Sequence, residues 1–392
     1  MTPNEVYLNS VGLLCAAGNS VESLKKGLLS DTDFLTEDNS FGAAALPVGK
    51  CLDELPVNPL TASCWQSRNN QFALAAYLQI QSEVEQAIAE FGADRVGIVI
   101  GTSTSGISDA EPAIKASVES GNLPESYHYS IQEMGNAAQF IAELSGAKGP
   151  IYAISTACSS GAKALASGKR LITAGICDVV IAGGVDTLCR LTIQGFSALE
   201  AVSTEICNPF SKNRNGINIG EAAALFVLSG QQQGVILRGI GESSDAHHIS
   251  APEPNGEGAV SCMRLAMEDA GLEPKDIDYI NLHGTATVLN DQMESIAVNQ
   301  LFGHKVLCSS TKPFTGHTLG AAGAIEAAIC WLMLTDETGF IPKHRWDGEP
   351  DPTIPTLNLV TASQSAERSK FVLSNSFAFG GNNIALILER AS

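Results

Sequence analysis

The sequence predicts an α/β fold in which alanine-rich helices cover largely parallel sheets. Apolar runs of strand length alternate along the 392 residues with longer segments of helical periodicity, and glycine closes these helical segments. Uninterrupted apolar runs are typical of strands buried on both faces, and strands that alternate with helices are typical of parallel sheets.

The individual elements follow from the same two patterns. The predicted strands are 96–101, 151–154, 178–184 and 222–230, followed by 235–244, 277–285, 305–310, 370–381 and 382–390. The predicted helices are 67–92, 160–175, 258–271 and 319–339. The proline-rich stretch 340–358 predicts an ordered surface loop, because apolar residues are interspersed in it.

Two segments of the chain echo each other. In both 153–168 and 308–328, a β-run ends in Ser-Thr, a turn of small residues follows, and a helix rich in Ala and Gly begins. The echo is consistent with duplication of one α/β unit, and a single unrepeated body is equally allowed by it.

Composition excludes several classes of function. The formal charge is −19 and no basic stretch stands out, which argues against general binding to nucleic acid or to anionic membranes. The ten cysteines show neither a CxxC pair nor zinc spacing, so we expect no metal site, no disulfide framework and a reducing, cytoplasmic compartment. The N-terminus lacks the basic part of a secretory signal, and Glu326 interrupts the apolar run 321–334, so we expect no membrane insertion.

Cys158 is the first candidate for chemistry. It lies in STACSSG, where a predicted strand gives way to a predicted helix, and its small neighbours leave room for a substrate carbonyl. The positive end of the helix dipole is expected to lower the pKa of the thiol, and backbone N–H groups of the turn could bind an oxyanion. A buried structural cysteine at a tight turn is the alternative.

Two of the seven histidines follow predicted strands. His283 begins HGTAT and His317 ends STKPFTGH, which also contains Lys312. Polar residues at the ends of buried parallel strands are where α/β folds place reactive groups, although one such histidine alone is more often structural. For Glu294 the alternatives are a helix-terminal role and a polar contact inside the site, for instance to Lys312. Asn290 and Asp291 are interpreted as helix-capping residues.

Several motifs together carry a resemblance to a known family. TACSSG, HGT, STKPFTGHTLGAAG and NSFAFGGNN, in this order, resemble the condensing enzymes of fatty-acid and polyketide synthesis. The elongating β-ketoacyl-[acyl-carrier-protein] synthases are the most similar type. GTSTSGI and NPFSKNRNGINIGEAAA also resemble segments of that family, so the likeness covers nearly the whole chain.

The resemblance implies a thiolase-like fold of two similar βαβαβαββ halves that form a layered α-β-α-β-α body. Residues 1–230 would form the half with the nucleophile, and residues 231–392 the half with the two histidines. The family's Cys-His-His set and lysine fall on Cys158, His283, His317 and Lys312, and its gating aromatic falls on Phe379. By the same resemblance, the N–H groups of Cys158 and Phe379 would form the oxyanion hole, with Glu294 and Phe377 in supporting positions.

The implied reaction needs neither a metal nor a redox cofactor. Cys158 would accept an acyl chain from an acyl carrier protein, and malonyl-carrier protein would lose carbon dioxide beside neutral His283 and His317. Carrier proteins of this family are acidic, so a local basic patch is expected, and the candidates are Arg68, Lys212 and Arg214. The family also implies a homodimer, or a heterodimer with a chain-length-factor-like paralogue.

Three departures from the family pattern favour a specialised pathway. Ala286 and Ala378 replace glycines and Asn382 replaces threonine, and the extra Cβ of Ala378 is expected to restrict positive φ and stiffen the gating loop. We expect an aryl-polyene or type II polyketide-like system, with housekeeping fatty-acid elongation as the alternative.

A degradative thiolase is a rival, but it would be expected to show a second cysteine near its C-terminus, and NSFAFGGNN has none. An initiating synthase would be expected to carry His and Asn where this chain offers His283 and His317. The remaining rival is a non-catalytic chain-length or scaffold subunit. The presence of Cys158 favours the active subunit.

Overall fold

The computed structural model describes residues 5–42, 44–361 and 368–391. The helices are α1 (Val21–Leu29), α2 (Arg68–Phe91), α3 (Ile107–Ser120), α4 (Asn136–Ser145), α5 (Ser160–Thr173), α6 (Arg190–Ala198), α7 (Glu257–Ala270), α8 (Val288–Phe302), α9 (Lys312–Thr315) and α10 (Ala322–Thr335). The strands are β1 (Tyr7–Cys15), β2 (Thr36–Asp38), β3 (Leu46–Val48), β4 (Val96–Gly101), β5 (Ile151–Ile154), β6 (Val179–Asp186), β7 (Ala222–Ser229), β8 (Val235–Ser244), β9 (Tyr279–Asn281), β10 (Leu307–Ser309), β11 (Asn358–Leu359), β12 (Phe371–Phe377) and β13 (Asn382–Arg390).

Eleven of these strands form one continuous ladder in the order β11-β10-β9-β12-β13-β8-β1-β7-β6-β4-β5. Strands from the first part of the chain occupy one end and strands from the second part the other. The two groups meet where β1 pairs with β8 through Tyr7 and Leu8. β5 is the edge strand of the first group, and all four of its residues are half-buried.

The helices sort into three layers around these two groups of strands. α2 and α4 cover one face of the first group, α7 and α8 cover the outer face of the second, and α5 and α10 lie between the groups and pack on each other. Three large apolar clusters coincide with the three helical layers. The middle cluster is rich in alanine, because Ala side chains let two central helices fit between sheets. The predicted α-β-α-β-α layering is therefore confirmed.

The strand directions differ from the prediction in part. β4 is parallel to β5 and β6, and β9 is parallel to β10 and β12, as expected. β1, β7, β8 and β13 instead pair antiparallel, so the sheet is mixed. The expectation of largely parallel sheets is wrong for these central strands, since an apolar run shows burial on both faces and carries no information on direction.

Two further features bear on the predictions. Residues 340–357, which follow α10, form an irregular segment with several buried apolar residues, as the interspersed apolar positions indicated. Within the described ranges, no helix combines the length and apolar character needed to cross a membrane. The boundary between halves at residue 230 stays a prediction.

Candidate active site

Cys158 lies in a strained turn between β5 and α5. Ala157 has φ of +51°, a left-handed conformation that costs a residue with a Cβ about 1–2 kcal/mol. Two hydroxyl groups hold the turn, because Ser103 Oγ and Ser160 Oγ donate to the Ala157 carbonyl at 3.2 and 2.6 Å. The side chain of Cys158 is thereby fixed just before the first turn of α5, as the small-residue pattern predicted.

The protonation state of Cys158 differs from the expectation. Burial raises the pKa of the Cys158 thiol to about 12, and Lys312 and the backbone N–H of Phe379 offset only part of that rise. The expected lowering of the pKa is therefore wrong for the resting site. Burial decides the direction of the pKa shift, because the free energy needed to remove a thiolate from water exceeds the stabilisation that a helix N-terminus provides.

His283 and His317 face the cysteine from the second half of the chain. One ligating atom from each imidazole and Cys158 Sγ all lie within 4.8 Å of one another, and all three residues are buried. The imidazole rings are 5.4 Å apart in an edge-to-face arrangement. Burial and the positive charge of Lys312 lower the pKa of both histidines well below the usual value, so both rings are neutral near pH 7.

The hydrogen bonds of the rings indicate which nitrogens are free for a substrate. The backbone N–H of Leu319 donates to His317 Nδ1 at 3.3 Å, so in the neutral ring the hydrogen sits on Nε2. Nδ1 of His283 has no hydrogen-bond partner among the described residues. His317 can therefore present an Nε2–H donor, as the expected chemistry requires.

Lys312 reaches the histidines through the backbone. Its ammonium donates to the carbonyl of His283 and to Glu326 Oε1, the latter at 2.5 Å. Both side chains of this ion pair are almost fully buried. Glu326 was noted in the sequence only as an interruption of an apolar run, although a charged residue at that place in a buried helix is itself a signal of a partner.

Glu294 does not contact Lys312. Its carboxylate instead accepts the backbone N–H groups of His283 and Gly284 at 2.8 and 2.7 Å, together with an amide hydrogen of Asn375. The suggested Glu294–Lys312 pairing is therefore wrong, because the Lys312 ammonium pairs with Glu326 instead. Glu294 supports the turn that bears His283.

Asn290 and Asp291 do not cap α8, whose N-cap is Thr287. Asp291 is fully buried and accepts the backbone N–H groups of Phe210 and Ala286 at 2.7 and 3.2 Å. The capping interpretation is wrong, since α8 begins three residues before Asp291. The carboxylates of α8 thus hold both ends of the HGTAT turn.

A cavity of about 430 Å³ lies at the three grouped side chains. Cys158, His283 and His317 line it together with Phe377, Ala378 and Phe379, and the lining also includes the exposed residues Val288 and Leu289. A site of this size, mostly apolar with a few convergent polar groups, is typical of an enzyme pocket.

Cysteine and two histidines are also a donor set that zinc uses. At this site, however, Lys312 lies close enough to lower the pKa of Cys158, His283 and His317. A buried ammonium group that acts on all three donors disfavours a second cation among them. The arrangement suits a nucleophile with two neutral hydrogen-bond donors better than a metal centre.

Comparison with known proteins identifies the family. The N-terminal domain model of β-ketoacyl synthases matches residues 68–234, and the C-terminal domain model matches residues 235–345. The chain is 35% identical over 343 residues to 3-oxoacyl-[acyl-carrier-protein] synthase 2 of Staphylococcus aureus (strain COL), and the match covers 82% of each chain. The chain belongs to the β-ketoacyl synthase family. It is accordingly a condensing enzyme of the acyltransferase class.

Solved ketosynthase structures share the fold over the full length. A chain from the complex of the Xenorhabdus doucetiae ketosynthase ApeO with its chain length factor ApeC is 44% identical, with a TM-score of 0.94, over 99% of this chain and 98% of that chain. The ishigamide ketosynthase/chain length factor is 29% identical, with a TM-score of 0.89, over 100% of both chains. The predicted family and fold are thus confirmed.

In the ketosynthase, the loop Phe377–Phe379 lines the same cavity as Cys158. The Phe379 ring packs against Phe196 with centroids 5.3 Å apart, and the backbone N–H of Phe379 is one of the groups that lower the pKa of the Cys158 thiol. Phe377 packs against His283 at 6.1 Å. Ala378 has φ of −98°, so its Cβ causes no left-handed strain, and the expectation that it stiffens the loop in this way is wrong.

In this part of the ketosynthase, residues other than Ala378 adopt positive φ. Gly380 and Gly381 have φ of +81° and +77°, as glycines readily do. In the HGTAT turn, by contrast, Ala286 has φ of +65°. Asn382, the third departure from the family pattern, accepts a hydrogen bond from Lys163 at 3.1 Å.

Two of the three cations predicted to dock the carrier protein form ion pairs with carboxylates of the ketosynthase itself. The guanidinium of Arg68 donates to both carboxylate oxygens of buried Glu221, and Arg214 is itself buried against Asp351. These two predictions are corrected, because a guanidinium held by an internal carboxylate is not free for a partner protein. Lys212 is 50% exposed and pairs with an equally exposed Glu349, so it stays a candidate.

Sequence reasoning also missed Asp186, at the end of β6. Its buried carboxylate accepts from the Thr102 hydroxyl, the Ser103 N–H and both the N–H and the hydroxyl of Thr104, all at 2.6–3.0 Å. It also accepts the N–H of Gly320, three residues after His317, at 2.6 Å. Asp186 therefore joins the loop under the cysteine turn to the loop of the second histidine. The signal in the sequence that could have pointed to Asp186 is an acidic residue at the end of an apolar strand.

Proposed function

We propose that this ketosynthase condenses an acyl group on Cys158 with malonyl-[acyl-carrier protein] to give 3-ketoacyl-[acyl-carrier protein]. The observation that carries the proposal is the grouping of Cys158, His283 and His317 within 4.8 Å in one cavity. A thiol that faces two neutral imidazoles meets the two needs of the reaction, a nucleophile and hydrogen-bond donors for a developing enolate.

In the first half-reaction, Cys158 Sγ attacks the thioester carbonyl of an acylated carrier protein. The bond between the acyl carbon and the carrier's sulfur breaks, and the thiol proton of Cys158 leaves on the carrier thiol. The N–H groups of Cys158 and Phe379 are the proposed donors to the tetrahedral oxyanion. The Phe379 N–H acts on the Cys158 thiol in the resting protein by lowering its pKa, which supports this role.

In the second half-reaction, malonyl-carrier protein loses its carboxylate as carbon dioxide and becomes a thioester enolate. His283 and His317 donate to the enolate oxygen, for which neutral rings are required. The enolate carbon then attacks the acyl-cysteine, and the C–S bond to Cys158 breaks as the sulfur takes up one proton. Burial keeps both rings neutral, and Lys312 adds to this effect because its charge disfavours a second positive charge nearby.

We place the reaction in a specialised pathway of the aryl-polyene or type II polyketide-like kind, in the cytoplasm. Support for the specialised pathway comes from relatives whose structures are complexes of a ketosynthase with a chain length factor. A reducing compartment is supported by the ten cysteines of the described residues, all of which are free thiols. The retained Cys158 makes this chain the active subunit rather than the silent one.

The proposed protein partners are an acyl carrier protein and a second ketosynthase-like chain, either identical or a chain-length-factor-like paralogue. The half-exposed edge strand β5 supports pairing with such a chain, since an unpaired edge is a template for another strand. Lys212 is the proposed carrier contact that remains after Arg68 and Arg214 are excluded.

The decisive experiment follows both half-reactions by intact-protein mass spectrometry. The wild-type protein is expected to gain one acyl group from acyl-carrier protein and to release 3-ketoacyl-carrier protein after malonyl-carrier protein is added. Cys158→Ser should abolish the acyl adduct, whereas Cys64→Ser should leave it intact. Absence of an adduct on the wild type, both alone and with its native paralogue, would favour the scaffold alternative.

A further inference from the structure

His344 lies inside the irregular segment 340–357 and is 1% exposed. This segment follows α10 but contacts the first half of the chain at several points. Arg345 donates to Asp33 and to the carbonyl of Thr32, and the N–H of Lys212 donates to the Glu349 carbonyl. The segment therefore bridges the two halves of the chain.

Both ring nitrogens of His344 are used. The backbone N–H of Ser310 donates to Nδ1 at 3.1 Å, and Nε2 lies 3.1 Å from the carbonyl of Pro209. A backbone N–H can only donate and a carbonyl can only accept, so these partners select one neutral tautomer with the hydrogen on Nε2. The rings of Phe210 and Trp346 pack beside the imidazole at 6.0 and 5.8 Å.

The loops that His344 joins both reach the turn of His283. Ser310 Oγ donates to the Gly284 carbonyl at 2.7 Å, and Lys312, two residues later, donates to the His283 carbonyl. On the other side, the ring of Phe210 lies so close to Gly284 that a Cβ there would sit 3.0 Å from Phe210 Cε2. One imidazole thus connects the Pro209–Phe210 loop and the Ser310–Lys312 loop, and the His283–Gly284 peptide lies between them.

We infer that His344 is a positioning residue for the ketosynthase reaction, which sets the placement of His283 and Lys312 through Ser310 and Pro209. The inference rests on the proposed function. His344 lies outside the lining of the cavity and contacts no reacting atom, so its effect passes through the loops that it holds. Because His283 serves decarboxylation, the loss of His344 should impair that step far more than acyl transfer to Cys158.

Three substitutions of His344 separate the effects of its two ring hydrogen bonds. His344→Phe retains an aromatic ring but removes both hydrogen bonds. His344→Asn retains an acceptor near the place of Nδ1, and His344→Gln retains a donor near the place of Nε2. Ser310 contacts Gly284 and lies two residues before Lys312. His344→Asn, which keeps the acceptor for Ser310, should therefore preserve more decarboxylation than His344→Gln. The matched control is His304→Phe, because exposed His304 also holds this segment, at the Thr356 carbonyl 2.9 Å away, without contacting a catalytic loop.

The experiment measures carbon dioxide release from malonyl-carrier protein, acyl transfer to Cys158 and the melting temperature of each full-length variant. His344→Phe should lower decarboxylation on the order of 10²-fold, the usual cost of a displacement of about 1 Å, and change acyl transfer less than about threefold. His304→Phe should change neither step. Equal loss of both steps in His344→Phe, or decarboxylation by His344→Gln equal to or above that of His344→Asn, overturns the inference.

A crystal structure of His344→Asn and His344→Phe tests the placement without reference to catalysis. Displacement of Ser310 and Lys312 from the His283 turn in His344→Phe, with smaller displacement in His344→Asn, supports the inference. Unchanged positions in both variants overturn it. If the wild type performs neither half-reaction, the proposed function fails, whereas the two crystal structures still decide whether His344 positions His283.

Discussion

Lys312 and Glu326 form a buried ion pair whose ammonium group also binds the His283 carbonyl. The two side chains are only 2% and 3% exposed, and the Lys312 Nζ to Glu326 Oε1 distance is 2.5 Å. The pair therefore places a positive charge beside the reactive residues and balances it from α10. A charge of this kind is stable in the interior only while its partner is present.

Glu326→Gln should destabilise the protein and slow decarboxylation. Loss of the carboxylate leaves the Lys312 ammonium buried without a counter-charge, at a cost of about 3–5 kcal/mol in the free energy of unfolding. Urea unfolding measures the loss. Glu22→Gln, which breaks the exposed pair of Glu22 with Lys26, is the control and should leave the free energy of unfolding nearly unchanged.

A double variant separates stability from chemistry. Lys312→Met with Glu326→Leu removes both charges, so the free energy of unfolding should return to within about 1–2 kcal/mol of wild type. Decarboxylation should stay low, because the group that binds the His283 carbonyl is missing. A double variant as unstable as Glu326→Gln would contradict the assignment of the loss to an uncompensated charge.

Glu294 should make stability depend on pH near neutrality. Burial raises the pKa of Glu294 from 4.5 to about 7, even though three donors oppose the rise. The folded protein therefore holds a proton that the unfolded chain releases above pH 4.5. The resulting stabilisation is complete below pH 4.5, is lost as pH rises through 7, and is on the order of 3 kcal/mol.

Urea unfolding of wild type and Glu294→Gln at pH 5 and pH 8 measures this contribution. Since Gln does not titrate, the free energy of unfolding of the variant should fall less between the two pH values than that of wild type. Glu268→Gln, at an exposed pair with Arg264, is the control and should follow wild type. Identical pH dependence in Glu294→Gln and wild type would show that Glu294 is ionised throughout.

The sequence was most informative where function depends on a local pattern. Cys158, His283, His317 and Lys312 each lie beyond the end of a strand with small residues nearby, so neighbouring positions carry the signal, and the structure brings them together. Glu326 and Asp186 act on groups far away in the chain, to which no local pattern points.

Burial and strand pairing were the other limits of the sequence. The pKa of Cys158 depends on how completely the surrounding layers exclude water from the thiol, and a short sequence motif does not show how deeply a residue is buried. Arg68 and Arg214 were interpreted as surface cations, since their partners Glu221 and Asp351 lie more than 130 positions away. β1 was missed because its run YLNSVGLLC mixes polar and apolar residues, although it joins the two groups of strands.

Two alanine-to-glycine changes should have opposite effects on stability. Ala286 has φ of +65°, so Ala286→Gly relieves left-handed strain and should raise the free energy of unfolding by about 0.5–1 kcal/mol. Ala378 has φ of −98°, so Ala378→Gly gains nothing in the folded state and should lower it by about 0.5–1 kcal/mol. Urea unfolding of both variants checks the signs, and a stabilising Ala378→Gly would contradict this account of the gating loop.

The resting Cys158 thiol should react slowly with a small alkylating reagent. With its pKa raised to about 12, Cys158 carries far less thiolate at pH 8 than an ordinary cysteine, whose pKa is about 8.5. Mass spectrometry of peptides after timed exposure to iodoacetamide should therefore show half-buried Cys64 labelled well before Cys158. Lys312→Ala should slow the labelling of Cys158 further, because the ammonium lowers the pKa of the thiol. Rapid labelling of Cys158 at pH 7, ahead of Cys64, would mean that the helix terminus outweighs burial and that a thiolate exists before substrate arrives.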